Sequence, residues 1–207
     1  MTTTDTAALP PRGTSRDRSD ARDQVVAAAR SVYRDKGVRR ATMEDVARAH
    51  GTSRQTVYKL FLGRRELVEA AVAARVAELA DEITGGEWGD GADAVAAFVH
   101  ASVTVIRRIR EDAELRDLLD EGSPVTLHEA LWLDEVRARG LAFWAAWFDR
   151  ARVAGVLRRD VPEAALSDWL QTIYASLILR DPLDDEGARE IIERFVLPSI
   201  LTAAALD

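Results

Sequence analysis

Ten consecutive residues, Thr52 to Phe61 (TSRQTVYKLF), carry side chains suited to reading a nucleic acid. Gln55 offers a carboxamide that can pair bidentately with adenine. Arg54 and Lys59 can donate to guanine, and the Thr56 methyl can touch a thymine methyl. Tyr58 can bond a phosphate through its hydroxyl while its ring leans on the protein. Thr42 and Ser53 stand where helices are expected to start, so free backbone N–H groups and the positive dipole end favour a phosphate there. Arg64, a few residues beyond, can clamp the flanking backbone. At helical spacing Val57, Leu60 and Phe61 fall on the buried side, leaving Arg54, Gln55, Tyr58 and Lys59 outside.

The elements that must position these groups are legible around them. A first helix is predicted from about Asp20 to Lys36, with a stripe of Val25, Val26, Ala29, Val32 and Tyr33, ended by Gly37. A second starts after Thr42, which with Asp45 makes a capping box, and carries Met43, Val46, Ala47 and His50 on its stripe up to Gly51. His50 reads as a partly buried core residue. Ser53 caps the third. Helix, glycine turn and helix with a polar outer face describe a helix-turn-helix, whose second helix enters a DNA major groove.

Charge supports that reading. Residues 1 to 67 hold 14 Lys+Arg against 8 Asp+Glu, whereas residues 68 to 207 hold 14 against 27. A polyanion is attracted to the first third and repelled by the rest. The 207 residues, 47% hydrophobic, suffice for a real core. No apolar run is long enough for a membrane span and Met1 to Asp20 lacks the apolar core of a secretory signal, so a soluble cytoplasmic protein is expected. With no Cys and three His, disulfides, thiolate metal sites and cysteine nucleophiles are excluded. No catalytic set converges, no metal pair stands at i, i+4 spacing, and no cofactor or enzymatic activity is expected.

The residues of the first third resemble the TetR family of transcriptional regulators. The resemblance rests on Thr42, Ala47, Gly51, Ser53, Thr56, Val57, Tyr58, Phe61, Arg64, Glu66 and Leu67, which match that family's pattern without insertion between residues 20 and about 70. It implies phosphate or base contacts for Thr42, Ser53, Thr56, Tyr58 and Arg64. His50, Gln55, Leu60 and Arg64 depart from the residues commonest at their positions. Gln55 replaces a glycine and is expected to shift sequence preference. The resemblance also implies repression of a palindromic double-stranded operator by a homodimer, relieved by a small apolar or aromatic effector. An activator or an effector-independent regulator is the alternative, and a helical interaction protein without a DNA role a more distant one.

The remainder is predicted to be helical throughout, completing an all-α fold of about nine helices. An N-terminal arm (1–19) is expected to be disordered, with Arg12, Arg16 and Arg18 available to a minor groove. The DNA-binding bundle covers 20–66, and a larger effector-binding and dimerisation domain 67–207. Helices are expected near 64–83, 92–110, 113–119, 127–153, 162–180 and 186–205, with a Gly-rich break at TGGEWGDG and a kink at Pro198. The last two have the widest apolar faces, and Leu166, Trp169, Leu170, Ile173, Tyr174, Leu177, Ile192, Phe195 and Val196 are the candidate dimer interface. Trp132, Phe143, Trp144 and Trp147 concentrate in one segment and, with His128 as a polar handle, are the candidate effector residues. His100 is a second candidate handle.

Overall fold

A computed structural model of the chain describes residues 15–84 and 94–205. Most of the expected N-terminal arm, with Arg12, and the Gly-rich break lie outside the described residues. Within them the chain is all-α, as its periodicity predicts, with a single antiparallel bridge between Leu157 and Leu201. No helix is long and apolar enough to cross a membrane among the described residues.

Helix α1 runs Ser15–Lys36, so it starts before the expected Asp20 and carries Arg16 and Arg18 as helical residues. No Gly or Pro interrupts this stretch, Asp17 complements the dipole in its first turn, and Arg18 Nη2 donates to Lys59 O at 3.5 Å. A 3₁₀ turn (Val38–Arg40) leads to α2 (Met43–His50) and α3 (Arg54–Leu60). Helices α4 (Arg64–Thr84), α5 (Ala94–Glu111) and α6 (Ala113–Leu118) follow.

The single long helix expected over 127–153 is two helices, α7 (Leu127–Leu131) and α8 (Asp134–Val153). The Thr126/Glu129 capping box starts α7, and Trp132 and Leu133 close it with 3₁₀-type bonds to Glu129 O and Ala130 O. Asp134 and Glu135 then supply the acidic first turn that favours a new start. After α9 (Glu163–Leu179), α10 begins as Asp185–Ile191, widens into a π turn at Ile192–Val196 and finishes as Leu197–Ile200. Pro198 explains the widening. It lacks an N–H and its ring crowds the carbonyl one turn back, and the Leu197 N–H accordingly reaches five residues back to Ile192 O.

Two hydrophobic cores result, and α4 runs through both. The first gathers Val25, Ala29, Val57, Phe61, Leu67 and Val68, all fully buried, but also Leu115, Leu118, Val125 and Ala130 from the α6–α7 region. The second is built around Phe98, Trp147, Phe148, Leu170, Ile192 and Ile200, with Ala80 and Ile83 of α4 packed against it. Each fully buried Leu, Ile or Phe contributes about 1.5–3 kcal/mol by leaving water. Rings in the second core meet closely: Phe98 lies 4.8 Å from Trp144 and 4.6 Å from Trp147, and Trp144 stacks on Tyr174 at 5.5 Å.

Candidate nucleic-acid interface

The local chain fixes the turn between α2 and α3 with little freedom. Thr42 Oγ1 accepts the Asp45 N–H, and Asp45 Oδ2 accepts from Thr42 N and Oγ1 at 3.1 and 2.8 Å. Lys36 Nζ, 2.5 Å from Asp45 Oδ1, and the Thr42 bonds hold that carboxyl down at about 2. Gly51, at φ 77°, takes the left-handed conformation that lets α2 stop and α3 leave at an angle. Ser53 Oγ accepts the Thr56 N–H at 3.1 Å and lies 2.9 Å from Thr56 Oγ1.

The geometry of α3 follows from three fixed points. Val57 and Phe61 are fully buried and Leu60 half-buried, which pins the inner face. Ser53, Arg54, Gln55, Thr56 and Lys59 are exposed, and Tyr58 is 39% exposed. Arg54 leans on Tyr58, its guanidinium 5.2 Å from the ring centroid and its Nη2 3.4 Å from the hydroxyl. That contact holds two of the candidate readers on one face, one helical turn apart. Such a surface offers donors, an amide and a methyl to a groove, and no acidic side chain lies on α3.

Arg22, which sequence reasoning missed, anchors the far end of α3. Its guanidinium stacks on Phe61, donates to Leu60 O and grips Glu66 Oε1 at 3.1–3.2 Å, while Glu66 Oε2 accepts the Leu62 N–H at 2.6 Å. Arg22 stands one turn before Val25 and Val26 on the same face of α1, an arginine in line with the apolar stripe, but what it grips lies 38 and 44 residues away and is not legible from α1 itself.

Two expected phosphate contacts are otherwise engaged. Thr42 points its hydroxyl and its N–H at Asp45. Arg64 is half-buried, and its Nη2 donates to Val38 O at 2.6 Å and to Gly122 O at 3.4 Å. It braces the N-terminal three-helix bundle against the loop after α6. Arg65 extends this brace through Pro124 O at 2.8 Å and Glu129 at 3.0 Å. His50 is half-buried as expected, with Nδ1 buried and without a partner.

Behind the bundle an apolar slot lies among α4, α5, α8 and α9. Phe143 and Trp144 line it. Trp147 belongs to the core behind, donating Nε1 to Ala94 O at 2.8 Å, while His128, His100 and Trp132 are exposed and do not line the slot. Sequence reasoning missed Arg139, Gly140, Gln171 and the slot-lining role of Tyr174. Gly140, a lone glycine inside a helix, was the available signal: a Cβ there would sit 3.2 Å from Gln171 Oε1.

Of the candidate dimer residues, Leu166, Leu170, Tyr174, Leu177, Ile192 and Val196 are buried in the chain's own core, and Ile173 packs partly against it. Period alone could not separate a core stripe from an interface stripe. On α9 and the last helix the large apolar groups that face outward are Trp169, Leu179 and Phe195, the last 68% exposed. Trp169 Nε1 donates to Ser199 Oγ at 2.9 Å, tying α9 to the last helix.

A capped helix-turn-helix with an exposed basic and amide face, carried on a larger helical body, defines a helix-turn-helix protein of the two-core all-α class. Residues 25–71 match the family model described as "Bacterial regulatory proteins, tetR family". It is 34% identical over 98 residues to the uncharacterized HTH-type transcriptional regulator Rv2250c of Mycobacterium tuberculosis, the match covering 47% of this chain and 49% of that protein. The chain thus spans about half the length of the first curated relatives it matches. A second M. tuberculosis regulator, Rv1255c, is 25% identical over 89% of this chain and 88% of its own. The TetR-family transcriptional repressor QsdR of R. erythropolis has the same fold, with a TM-score of 0.68 at 20% identity over 91% of this chain and 98% of QsdR. So does a TetR-family regulator from Pectobacterium atrosepticum, at 0.64 and 15% over 92% and 98%.

Proposed function

We propose that the protein is a cytoplasmic transcriptional repressor that binds a palindromic DNA operator as a homodimer and is released by a small apolar or aromatic effector. The observation that carries this reading is the outer face of α3: Arg54, Gln55, Thr56, Tyr58 and Lys59 exposed on a helix whose inner face and both ends are fixed. Arg54, Gln55, Thr56 and Lys59 face the bases, and Ser53 and Tyr58 take phosphates. Fixed ends matter because base reading tolerates little angular error. One such helix covers half a site, so two copies about 34 Å apart are required, and the exposed Trp169, Leu179 and Phe195 are the apolar groups on α9 and α10 that a second copy would cover. The slot beside α4 is the effector site, with Phe143 and Trp144 in its wall.

A salt titration tests the reading. Purified protein is expected to bind a palindrome from the DNA upstream of its own gene more tightly than random duplex, with log K falling linearly against log salt. Equal binding to both duplexes refutes specific regulation. Tyr58→Phe and Lys59→Ala are expected to weaken operator binding, the second also reducing the salt slope by about 1.

A further inference from the structure

Resting on the effector reading, we infer that the slot takes an uncharged, flat apolar molecule bearing a single carbonyl-type acceptor, which Arg139 receives. Most of the lining is hydrocarbon, and its polar side chains differ in what they have left to give. The Tyr174 hydroxyl is paired with Ser102 Oγ at 2.7 Å, and Gln171 donates Nε2 to Leu131 O at 2.7 Å. Arg139 Nη2 is engaged by Ala77 O and by the Asp81 carboxylate, both on α4, while its Nε–H is buried with no acceptor. A buried donor left without a partner is a place where a ligand acceptor gains a bond without losing one to water.

The same arrangement selects against anions. Arg139 already has a carboxylate partner in Asp81, so the slot offers a donor and no surplus positive charge. A ligand carboxylate meets Asp81 across the guanidinium and must displace it or be desolvated beside it. Flatness follows from the walls, where Trp144 stands stacked on Tyr174 with an interplanar angle of 6° and Phe143 lies edge-on to Trp144. Gly140, next to Arg139, leaves open the space that a Cβ would take 3.2 Å from Gln171 Oε1. Because both Arg139 partners are on α4, a ligand seated against its Nε–H bears on the seam between α4 and α8.

Calorimetry on the full chain with three near-isosteric probes tests this: 2-acetylnaphthalene, 2-naphthoate and 2-ethylnaphthalene. The ketone is expected to bind at least about 10-fold more tightly than either the anion or the hydrocarbon. In Arg139→Met the ketone preference over the hydrocarbon is expected to vanish while 2-ethylnaphthalene binds as in the parent, which also shows the variant folded. Preference for naphthoate, a ketone preference that survives Arg139→Met, or no binding by any probe overturns the inference. Operator binding without any probe is measured in parallel. Its persistence alongside a failed probe series removes only the ligand assignment, and its absence removes the regulator reading itself.

Discussion

The Arg22 guanidinium carbon lies 4.2 Å from the centroid of the Phe61 ring, while two of its nitrogens share Glu66 Oε1. One residue of α1 thereby fixes where α3 ends and α4 begins. Both partners of the ion pair are about one-third exposed, which limits its own worth to about 1 kcal/mol. Ring stacking and the bond to Leu60 O add to it. Arg22→Ala is expected to lower unfolding stability by about 1–2 kcal/mol and to weaken operator binding more than stability alone accounts for. Denaturant melts and gel-shift titrations on the same preparation check this, and an unchanged operator affinity refutes the anchoring role.

Gln55 is exposed in the first turn of α3, where a side chain reaches a base edge. Gln55→Ala is expected to relax discrimination at one base pair of each half-site, costing about 1–3 kcal/mol against the preferred base. Selection of bound sequences from a random library measures this directly. The same consensus in parent and variant counts against base reading by Gln55.

Acid sensitivity should trace to the ionic seam joining α1, α4 and α6. Hydrogen bonding from Arg30 holds the Glu78 carboxyl down at about 2, with Arg75 assisting against partial burial, and Arg30 also reaches Glu114. A folded pKa below the ordinary value of 4.5 means that the pair stabilises above that pH and that its contribution is lost as pH falls toward 2. Stability is expected to decline across that window, and Glu78→Gln to flatten the decline while lowering stability at pH 7 by about 1 kcal/mol, since Glu78 is half exposed. Melts from pH 7 to pH 2.5 provide the measurement.

Gly122 sits against Arg39, and a Cβ there would meet the Arg39 Cβ, Cγ and Cδ at 2.8–2.9 Å. Gly122→Val is expected to push the loop after α6 off the N-terminal bundle and to weaken the Arg64 brace. The cost expected from such overpacking is about 1–3 kcal/mol. Thermal denaturation reads the loss, and a variant as stable as the parent shows that the loop is not clamped there.

Phe195 projects from the π turn and is 68% exposed. If α9 and the last helix pair across a dimer, Phe195→Glu places a charge in that interface and should give monomers in sedimentation at micromolar concentration, with operator affinity reduced at least about tenfold. A monomeric parent removes the dimer surface from the proposal.

How much was legible depended on how local the cause was. Thr42, Asp45, Gly51 and Ser53 act on neighbours within three or four residues, so the capping box, the left-handed glycine and the start of α3 were visible in order and spacing. The break between α7 and α8 is also local, yet an apolar pattern that continues through Trp132 and Leu133 hides it, and the acidic first turn of Asp134 and Glu135 is its one sign. Leu166 and Ile192 illustrate the opposite limit. Their stripes were plain, but the same period serves a core and an interface, and only the packing assigned them to the core.

Sequence alone determined an all-helical chain with a capped helix-turn-helix and a basic outer face near its start, because period, caps and charge are written in consecutive residues. Tertiary structure decided that Arg22 anchors that helix, that Arg64 braces two parts of the fold, and that Arg139 keeps a buried donor beside an apolar slot. Each depends on groups tens of residues apart, whose meeting is set by how helices cross and pack and leaves no mark in the spacing of either partner.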